Sequence, residues 1–370
     1  MDAAIRIRSK GEHMSEYQGP LASLVRSGPD QYINEPGSAK DPAALTSDWR
    51  HPAVITGERA RSAYEAYAGG PVPATVLVYD GSVTDRNARE LADALTPDTD
   101  VVVALGGGRA IDTAKEVAHL RTLPLVVVPT IASTCAPYSA LSVIYDERHA
   151  FLKVSHHPRN AVKLVVDPAL IARAPKQYLL GGIGDTLAKW YEAKAVFDIS
   201  RPHSALDRLG LEAARIARDE LLEQSTTVLE HYDDGCGDHA ALGNLIDTII
   251  ALGGAVGGFA RTKGRASGAH AIHDALTIIP ELHATLHGLK VAYGILVQLT
   301  YVGEIEQVEE LSEVYRRIGL PTSLRDMGVP ASAIDRIATR AAEPDLSWVN
   351  AFPHATGAGI ASAIRQLESV

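Results

Sequence analysis

Short apolar runs alternate with helical segments between residues 20 and 172. The runs are rich in valine and bounded by glycine or proline, which is typical of buried parallel strands. They are PAVITG (52–57), ATVLVYDG (74–81), VVVALGGG (101–108), LPLVVVPT (123–130) and AVKLVVDP (161–168). Between them, ERARSAYEAYA, TDRNARELADAL and RAIDTAKEVAHL carry apolar residues three and four positions apart, as amphipathic helices do. The pattern predicts an α/β fold with a parallel sheet and helices on both faces.

After Pro175 the strand pattern ends, and the longer segments have helical periodicity, among them GDTLAKWYEAKAVF and HGLKVAYGILVQLTYV. We therefore predict an α/β domain at 20–173 and an all-α domain at 174–370. Residues 1–19 are expected to be a disordered extension, with Met14 as a candidate start. A ligand site is expected in the cleft between two such domains. A flavodoxin-like fold without a cofactor would show the same strand pattern.

The composition excludes several classes of partner. The 370-residue chain has a formal net charge of −10, which argues against nucleic acid or an acidic membrane as a partner. No apolar stretch approaches the ~20 residues of a bilayer span, and the N-terminus lacks the apolar core of a secretory signal. Two cysteines, Cys135 and Cys236, cannot form a disulfide framework. We expect a cytoplasmic homo-oligomer that acts on a small molecule.

A glycine turn is the first candidate for chemistry. Gly106, Gly107 and Gly108 end a predicted strand, and the residues from Arg109 to Lys115 begin a predicted helix. Glycines allow close approach to an anion, and a helix N-terminus adds favourable partial charge. The turn matches neither GxGxxG nor GxxxxGK. A tight turn without a ligand is an equally good interpretation of these residues alone.

A carboxylate and a group of histidines are the second candidate. Asp185 stands at the expected start of a helix, and His270, His273, His283 and His287 fall within 18 residues. Their spacings of three and four put each pair of imidazoles on one helical face. A carboxylate with two imidazoles suits a borderline divalent ion. The residues alone nevertheless favour a helix N-cap and structural histidines.

Taken together, several blocks resemble the glycerol dehydrogenase branch of the iron-type alcohol dehydrogenase superfamily, which also includes dehydroquinate synthase. The blocks are GGGRAIDTAK, VVVPTIASTCAPYSALSVIYD, GGIGDTLAKWYEA, GAHAIHDALT and HGLKVAYGILVQL, in the family order over roughly residues 31–327. The resemblance implies a Rossmann-like domain followed by an all-α domain, as in dehydroquinate synthase. It also implies hydride transfer between NAD(P)H and an alcohol carbon. Around Cys135 and at 177–193, the likeness is to a bacterial reductase of 2-oxo acids.

The resemblance implies roles for individual residues. Asp185, His270 and His287 correspond to metal ligands, which leaves His283 outside the ligand set. His273 corresponds to a histidine near the nicotinamide that relays a proton. The implied dinucleotide contacts are Gly57, Gly106, Gly107, Gly108, Asp112, Thr130, Ser133, Ser139, Leu141 and Tyr145.

Two positions depart from the family pattern. Lys189 replaces a histidine that four-ligand iron enzymes carry one turn after Asp185. A three-ligand site is therefore expected, with Zn²⁺ as the ion and Fe²⁺, Ni²⁺, Co²⁺ or Mn²⁺ as alternatives. Cys135 replaces the aspartate that contacts glycerol in glycerol dehydrogenases, where TIASTDAP stands in place of TIASTCAP. Together with His273, these two residues are the predicted catalytic positions.

A neutral thiol and a nearby ammonium favour a substrate carboxylate, so we expect reduction of a 2-oxo acid to a 2-hydroxy acid. In a second interpretation, Lys189 only pairs with Asp185 or Glu192 and Cys135 is an apolar wall. The substrate is then an uncharged aldehyde, a ketone or a polyol such as glycerol. A lyase of the dehydroquinate synthase type would need a glutamate at the first metal position. A catalytically inactive binding protein would not need the complete set of one aspartate and two histidines.

The cofactor choice depends on the end of the first predicted strand. NAD-using relatives carry an aspartate there for the adenine ribose, and Gly57 takes its place. Loss of the carboxylate removes repulsion against a 2′-phosphate, and Arg59 and Arg61 are close in sequence. We therefore expect NADPH. If Glu58 binds the ribose instead, the cofactor is NADH.

Overall fold

The computed structural model describes residues 20–147, 150–232, 239–264 and 266–369. The predicted extension at 1–19, Met14 and Cys236 lie outside these residues. The strands are β1 (Gln31–Asn34), β2 (Pro52–Thr56), β3 (Thr75–Val78), β4 (Val101–Gly106), β5 (Leu125–Pro129), β6 (Leu141–Tyr145), β7 (Phe151–His156) and β8 (Lys163–Val166). Six of them form a parallel sheet in the order β1-β8-β5-β4-β2-β3, while β6 and β7 form a separate antiparallel hairpin.

The helices of the first half connect these strands. They are α1 (Pro42–Leu45), α2 (Glu58–Ala68), α3 (Asp85–Ala94), α4 (Gly108–Arg121) and α5 (Pro168–Ile171). Each of the five predicted strand runs contains a strand, and the three predicted helices correspond to α2, α3 and α4. The prediction missed β1, because QYIN is a short edge strand with little apolar pattern, and it missed the hairpin.

From Lys176 onward, the described part of the chain contains helices and no strand. The helices are α6 (Lys176–Ile199), α7 (Ala205–Glu230), α8 (His239–Asp247), α9 (Gly253–Ala260), α10 (Gly268–Leu276), α11 (His287–Val302), α12 (Ile305–Ile318), α13 (Ile334–Ala341) and α14 (Gly357–Leu367). The last strand, β8, ends at Val166, and the first long helix, α6, begins at Lys176. The division into two domains at residue 173 stays a prediction.

Helix α4 is buried on nearly all sides. Every residue from Ala110 to Ala118 is buried, because one face of the helix packs on the sheet and another is covered by β6. The two central strands beneath it, β4 and β5, are equally buried along their whole length. Helix α4 therefore lies between the parallel sheet and strand β6 of the hairpin and contacts both.

One helical segment is long and apolar enough to cross a membrane by length and composition. It runs from His239 to Gly264 and includes a π-helical turn at Thr248–Leu252. An 18-residue window within it has a mean hydropathy of 1.5. The expectation that no apolar stretch approaches that length was therefore wrong. In the structure 61% of this window is buried, as in the core helix of a globular protein.

Helices α6 and α11 cross in direct backbone contact. A Cβ atom at Gly288 would lie 1.7 Å from the carbonyl oxygen of Gly181, and one at Gly184 would lie 2.4 Å from the carbonyl oxygen of Gly288. Only glycine permits this approach. Asp185 follows one of these glycines and His287 precedes another, so the crossing sets the distance between their side chains.

We expect Gly288→Ala to lower the free energy of unfolding by at least about 1–3 kcal/mol, because the added methyl overpacks the crossing. Urea or guanidinium unfolding measures the change. Gly257→Ala is the matched control, since this helical glycine has nothing within 4 Å of its added Cβ. That control is expected to gain about 0.5–1 kcal/mol. Equal stability of wild type and Gly288→Ala would contradict the role of the crossing.

Candidate metal and dinucleotide site

Asp185 lies in the interior of α6 and not at a helix start. The helix begins nine residues earlier, at Lys176, with Pro175 as its N-cap residue. The sequence expectation was wrong here because GGIG resembles a helix break, whereas its glycines allow the close crossing with α11. Asp185 is only 3% exposed, so its carboxylate needs partners from within the protein.

Two of the four clustered histidines supply those partners. Asp185 Oδ1 lies 3.3 Å from Nε2 of His270, on α10, and 3.2 Å from Nε2 of His287, at the start of α11. The three side chains place their ligand atoms within 4.8 Å of one another. Burial raises the pKa of Asp185, but the Lys189 ammonium and both imidazoles outweigh it and hold that pKa well below its usual range.

Glu192 orients His270. Its Oε2 lies 2.6 Å from His270 Nδ1, and its Oε1 accepts from the backbone N–H groups of Ser267 and His270 at 2.7 and 2.9 Å. Burial lowers the pKa of His270, but the Glu192 carboxylate raises it to a net value of about 9. With Nδ1 held by Glu192, Nε2 is the nitrogen that faces Asp185.

His273 lies behind His287 and not in the ligand group. His273 Nε2 is 2.9 Å from His287 Nδ1, and His273 Nδ1 is 2.8 Å from Asp274 Oδ1. Burial lowers the pKa of His273 well below its usual range, so the ring is neutral. His283 points elsewhere, with Nε2 at 3.2 Å from the carbonyl oxygen of Thr277.

Lys189 and Cys135 lie close enough to interact electrostatically with each other and with Asp185. Lys189 is one helical turn after Asp185 on α6, and its Nζ lies 3.8 Å from Asp185 Oδ1. The Cβ of Cys135 is 3.3 Å from where a Cβ of Gly253, the first residue of α9, would lie. Burial raises the pKa of the Cys135 thiol, which therefore stays neutral. A cation on α6 and an uncharged sulfur on the loop after β5 thus both lie near Asp185.

The donor set fits a divalent ion. Ligand atoms at 2.0–2.2 Å around a tetrahedral Zn²⁺ lie roughly 3.3–3.6 Å apart, close to the two distances from Asp185 Oδ1. One carboxylate and two imidazoles leave a coordination position for another oxygen. The ammonium of Lys189 offers no lone pair at neutral pH and cannot be a fourth ligand.

Five of the predicted dinucleotide residues lie at the carboxyl edge of the sheet. Parallel pairing puts Thr56 opposite Leu105 and Gly106 opposite Pro129, so the residues after β2, β4 and β5 share this edge. They include Gly57, the turn at 106–108 and Thr130. Carboxyl edges of parallel sheets are where nucleotides bind in such folds.

The glycine turn suits a phosphate group. Gly106 has φ +149°, which L side chains rarely adopt, and the turn leads directly into α4. Gly107 caps the helix without a side-chain hydrogen bond from any described residue. The first N–H groups of α4 therefore remain for an anionic ligand.

The other predicted contacts lie on the loop and strand that cover α4. Ser133 and Ser139 belong to the loop after β5, while Leu141 and Tyr145 begin and end β6. Asp112 is different, because its two carboxylate oxygens bond to Lys115 Nζ and to the backbone N–H of Val143. Its predicted contact with the dinucleotide stays a prediction, but the structure gives it internal partners.

Three residues that complete these sites were not predicted as site residues, although Glu192 was named as a possible partner of Lys189. Glu192 follows Asp185 by seven positions on one helix, and the series 185, 189, 192 marks one polar face of α6, which was an available signal. Asp274 is the neighbour of His273. Lys115 contacts main-chain carbonyls 21 and 26 residues away, which no local pattern reveals.

Comparison with known proteins identifies similar chains. Residues 29–168 match the family model for iron-containing alcohol dehydrogenases. Hydroxycarboxylate dehydrogenase A of Escherichia coli is 36% identical over 333 residues, which cover 88% of this chain and 91% of that protein. Glycerol dehydrogenase of Thermotoga maritima is 35% identical over 257 residues, which cover 68% of this chain and 69% of that protein.

Solved structures show the same fold. A probable glycerol dehydrogenase from Sinorhizobium meliloti 1021 has a TM-score of 0.84 at 29% identity, covering 94% of this chain and 99% of that one. Sulfoacetaldehyde reductase from Bifidobacterium kashiwanohense, in complex with NAD⁺, has a TM-score of 0.73 at 18% identity, covering 94% and 99%. At that identity the likeness shows the fold alone. The predicted fold class, an α/β part with a parallel sheet followed by an all-α part, is confirmed.

Proposed function

This chain belongs to the iron-containing alcohol dehydrogenase family, and from that premise we propose that it reduces a 2-oxo acid to a 2-hydroxy acid. It is an oxidoreductase, and its family uses NAD(P) and a divalent metal. When bound, the dinucleotide gives or takes the hydride and the metal ion polarises the substrate oxygen. The residues of this chain bind and orient those groups.

We propose that Asp185, His270 and His287 hold the metal and that the ion is Zn²⁺. The distances among their ligand atoms support this set, as does the contact between Glu192 and His270 Nδ1, which leaves His270 Nε2 facing Asp185. His273 holds His287 in the same way, through a bond to Nδ1 that leaves Nε2 facing Asp185. The proton relay through His273 is part of the proposal, supported by its second bond, to Asp274.

One observation carries the choice of substrate, namely the Lys189 ammonium 3.8 Å from the carboxylate of Asp185. A 2-oxo acid has a carboxylate next to the reacting carbonyl, so an ammonium beside the metal ligands is placed to attract it. Cys135 supports the proposal because a neutral thiol does not repel an anion, whereas an aspartate there would. The similarity to hydroxycarboxylate dehydrogenase A points the same way, and the relatives named glycerol dehydrogenase keep a polyol as the second candidate.

We propose NADPH as the preferred dinucleotide. Gly57 has no carboxylate to repel a 2′-phosphate, which carries about −1.5 to −2 charge by analogy with phosphorylated side chains. A Cβ at this position would lie 2.9 Å from Tyr79 Cε1, so a side chain here would have to displace the Tyr79 ring. Arg61 is paired with Glu65 at 3.0 Å, which leaves the exposed Arg59 as the guanidinium for the phosphate.

We also expect the enzyme to act in the cytoplasm as a homo-oligomer on a small-molecule substrate, with neither nucleic acid nor membrane as a partner. The formal net charge of −10 supports the exclusion of polyanionic partners. The similarity to dehydrogenases supports the small-molecule substrate.

The metal assignment predicts different outcomes for neighbouring histidines. We expect Asp185→Ala and His287→Ala to abolish metal retention, because each removes a ligand, while circular dichroism shows an intact fold. His283→Ala is the control, since its ring bonds to the carbonyl oxygen of Thr277. Elemental analysis after dialysis measures the metal. Loss of metal in His283→Ala with retention in His287→Ala would refute the assignment.

The cofactor assignment predicts a higher kcat/KM with NADPH than with NADH. Arg59→Ala should lower kcat/KM for NADPH by about tenfold or more, because a bond to a charged group is worth roughly 1.5–3 kcal/mol, and should leave NADH nearly unaffected. Arg208→Ala, on α7, is the control at another exposed arginine. Equal or better kcat/KM with NADH in the wild type would contradict the assignment.

The substrate assignment predicts a selective loss in Lys189→Met. Without the ammonium, kcat/KM for 2-oxobutyrate should fall by about one to two orders of magnitude, while that for butanal should change little. Lys194→Met is the control on the same helix, because its exposed ammonium pairs with Asp198. Equal losses on both substrates, or a wild-type preference for glycerol or dihydroxyacetone, would rule out carboxylate recognition.

A further inference from the structure

A buried ion pair on α4 bonds to the loop that covers this helix. Lys115 and Asp112 are each 6% exposed, and Lys115 Nζ donates to Asp112 Oδ1 at 2.9 Å. The same ammonium donates to the carbonyl oxygens of Ala136 and Leu141, each at 2.7 Å. An ammonium has three protons, so all three have acceptors within this group.

Asp112 bonds to the next residues of the same segment. Its Oδ2 accepts from the backbone N–H of Val143 at 3.0 Å, and its main-chain carbonyl accepts from Ser142 Oγ at 3.1 Å. Ser142 Oγ also lies 2.8 Å from Nε2 of His157, the residue after β7. Helix α4 is thereby bonded to strand β6 of the hairpin, and Ser142 connects β6 to the residue after β7.

The bonded segment contributes to both candidate pockets. The N–H groups of Tyr138 and Ser139 both donate to the carbonyl oxygen of Cys135, which closes a turn at the wall of the substrate pocket. Lys115 bonds to Ala136 within this turn and to Leu141, two residues after it. Leu141 and Tyr145, which follow on β6, are predicted dinucleotide contacts. The helix that carries Lys115 begins at the glycine turn, so one rigid element is bonded to all these parts.

We propose that Lys115, together with Asp112, is a positioning pair that fixes the segment 135–145 relative to the glycine turn. The pair thereby holds the dinucleotide contacts and the substrate wall at Cys135 in one geometry. This inference rests on the proposed function, since it requires a dinucleotide at the carboxyl edge of the sheet. Stability is a weak alternative reason for the pair, because replacing a buried ion pair by apolar groups is often neutral or stabilising.

The test removes both charges together in the full-length, metal-loaded protein. Lys115→Met alone leaves the Asp112 carboxylate buried without its cation, and we expect it to be less stable. Asp112→Asn/Lys115→Met leaves no buried charge and keeps similar volumes. We expect this double variant to unfold within a few degrees of the wild type and to keep its metal. Its Kd for NADPH or NADH, measured by nucleotide fluorescence, should rise at least about tenfold, with a higher KM for 2-oxobutyrate, because small misplacements are costly.

The control is Asp85→Asn/Lys153→Met, which removes an exposed 2.7 Å ion pair that also joins the hairpin to a helix. Its Kd should stay within about twofold of the wild type. An unchanged Kd and KM in the Asp112/Lys115 double variant, or equal weakening in the control, would overturn the inference. Wild-type protein that binds neither dinucleotide would instead contradict the proposed function.

Should the double variant fail to fold, Asp112→Asn alone decides, because it keeps the shape but offers one acceptor oxygen in place of two. A Kd raised by about threefold or more supports the positioning role, as expected for one lost hydrogen bond. A smaller rise, with a normal fold, overturns it.

Discussion

A charged carboxylate buried in the middle of α6 is the constraint on which the rest of the molecule depends. Asp185 is 3% exposed, and a buried charge is costly unless cations or hydrogen-bond donors surround it. Its partners come from three helices, with Lys189 on α6 itself, His270 on α10 and His287 on α11. His287 reaches it because α6 and α11 touch at glycines. The packing of the helical half is therefore inseparable from the geometry of its candidate metal site.

The loop after β5 connects the sheet half of the chain to the surroundings of Asp185. The turn at Cys135 follows β5, packs against the start of α9 at Gly253, and returns to β6 over the buried helix α4. The same helix starts at the glycine turn, where the N-cap residue Gly107 makes no side-chain cap. In the proposed function, a substrate beside Asp185 and a dinucleotide at the sheet edge would both be contacted by segments bonded to α4. Hydride transfer requires that kind of shared placement, because the two reacting carbons must be held close together.

Local pattern predicted the sheet well, because valine-rich runs such as 101–106 have one stable place, in the middle of a parallel sheet. It failed at β1, where QYIN gains its stability from pairing with β8 and not from its own apolar content. The metal residues were a different case. From the residues alone, structural histidines and an N-cap were the better interpretation, and the family resemblance was needed to select Asp185, His270 and His287. Glu192 and Lys115 acquire their partners only through tertiary contacts between distant segments.

The central claim is that one ion lies among Asp185, His270 and His287. Anomalous diffraction at the zinc edge, from crystals of the zinc-loaded protein, tests it most directly. We expect a single strong peak about 2.0–2.2 Å from Asp185 Oδ1 and from Nε2 of both histidines, with Lys189 and His283 outside coordination distance. A peak coordinated by His283, or zinc bound at other residues with this trio empty, would contradict it.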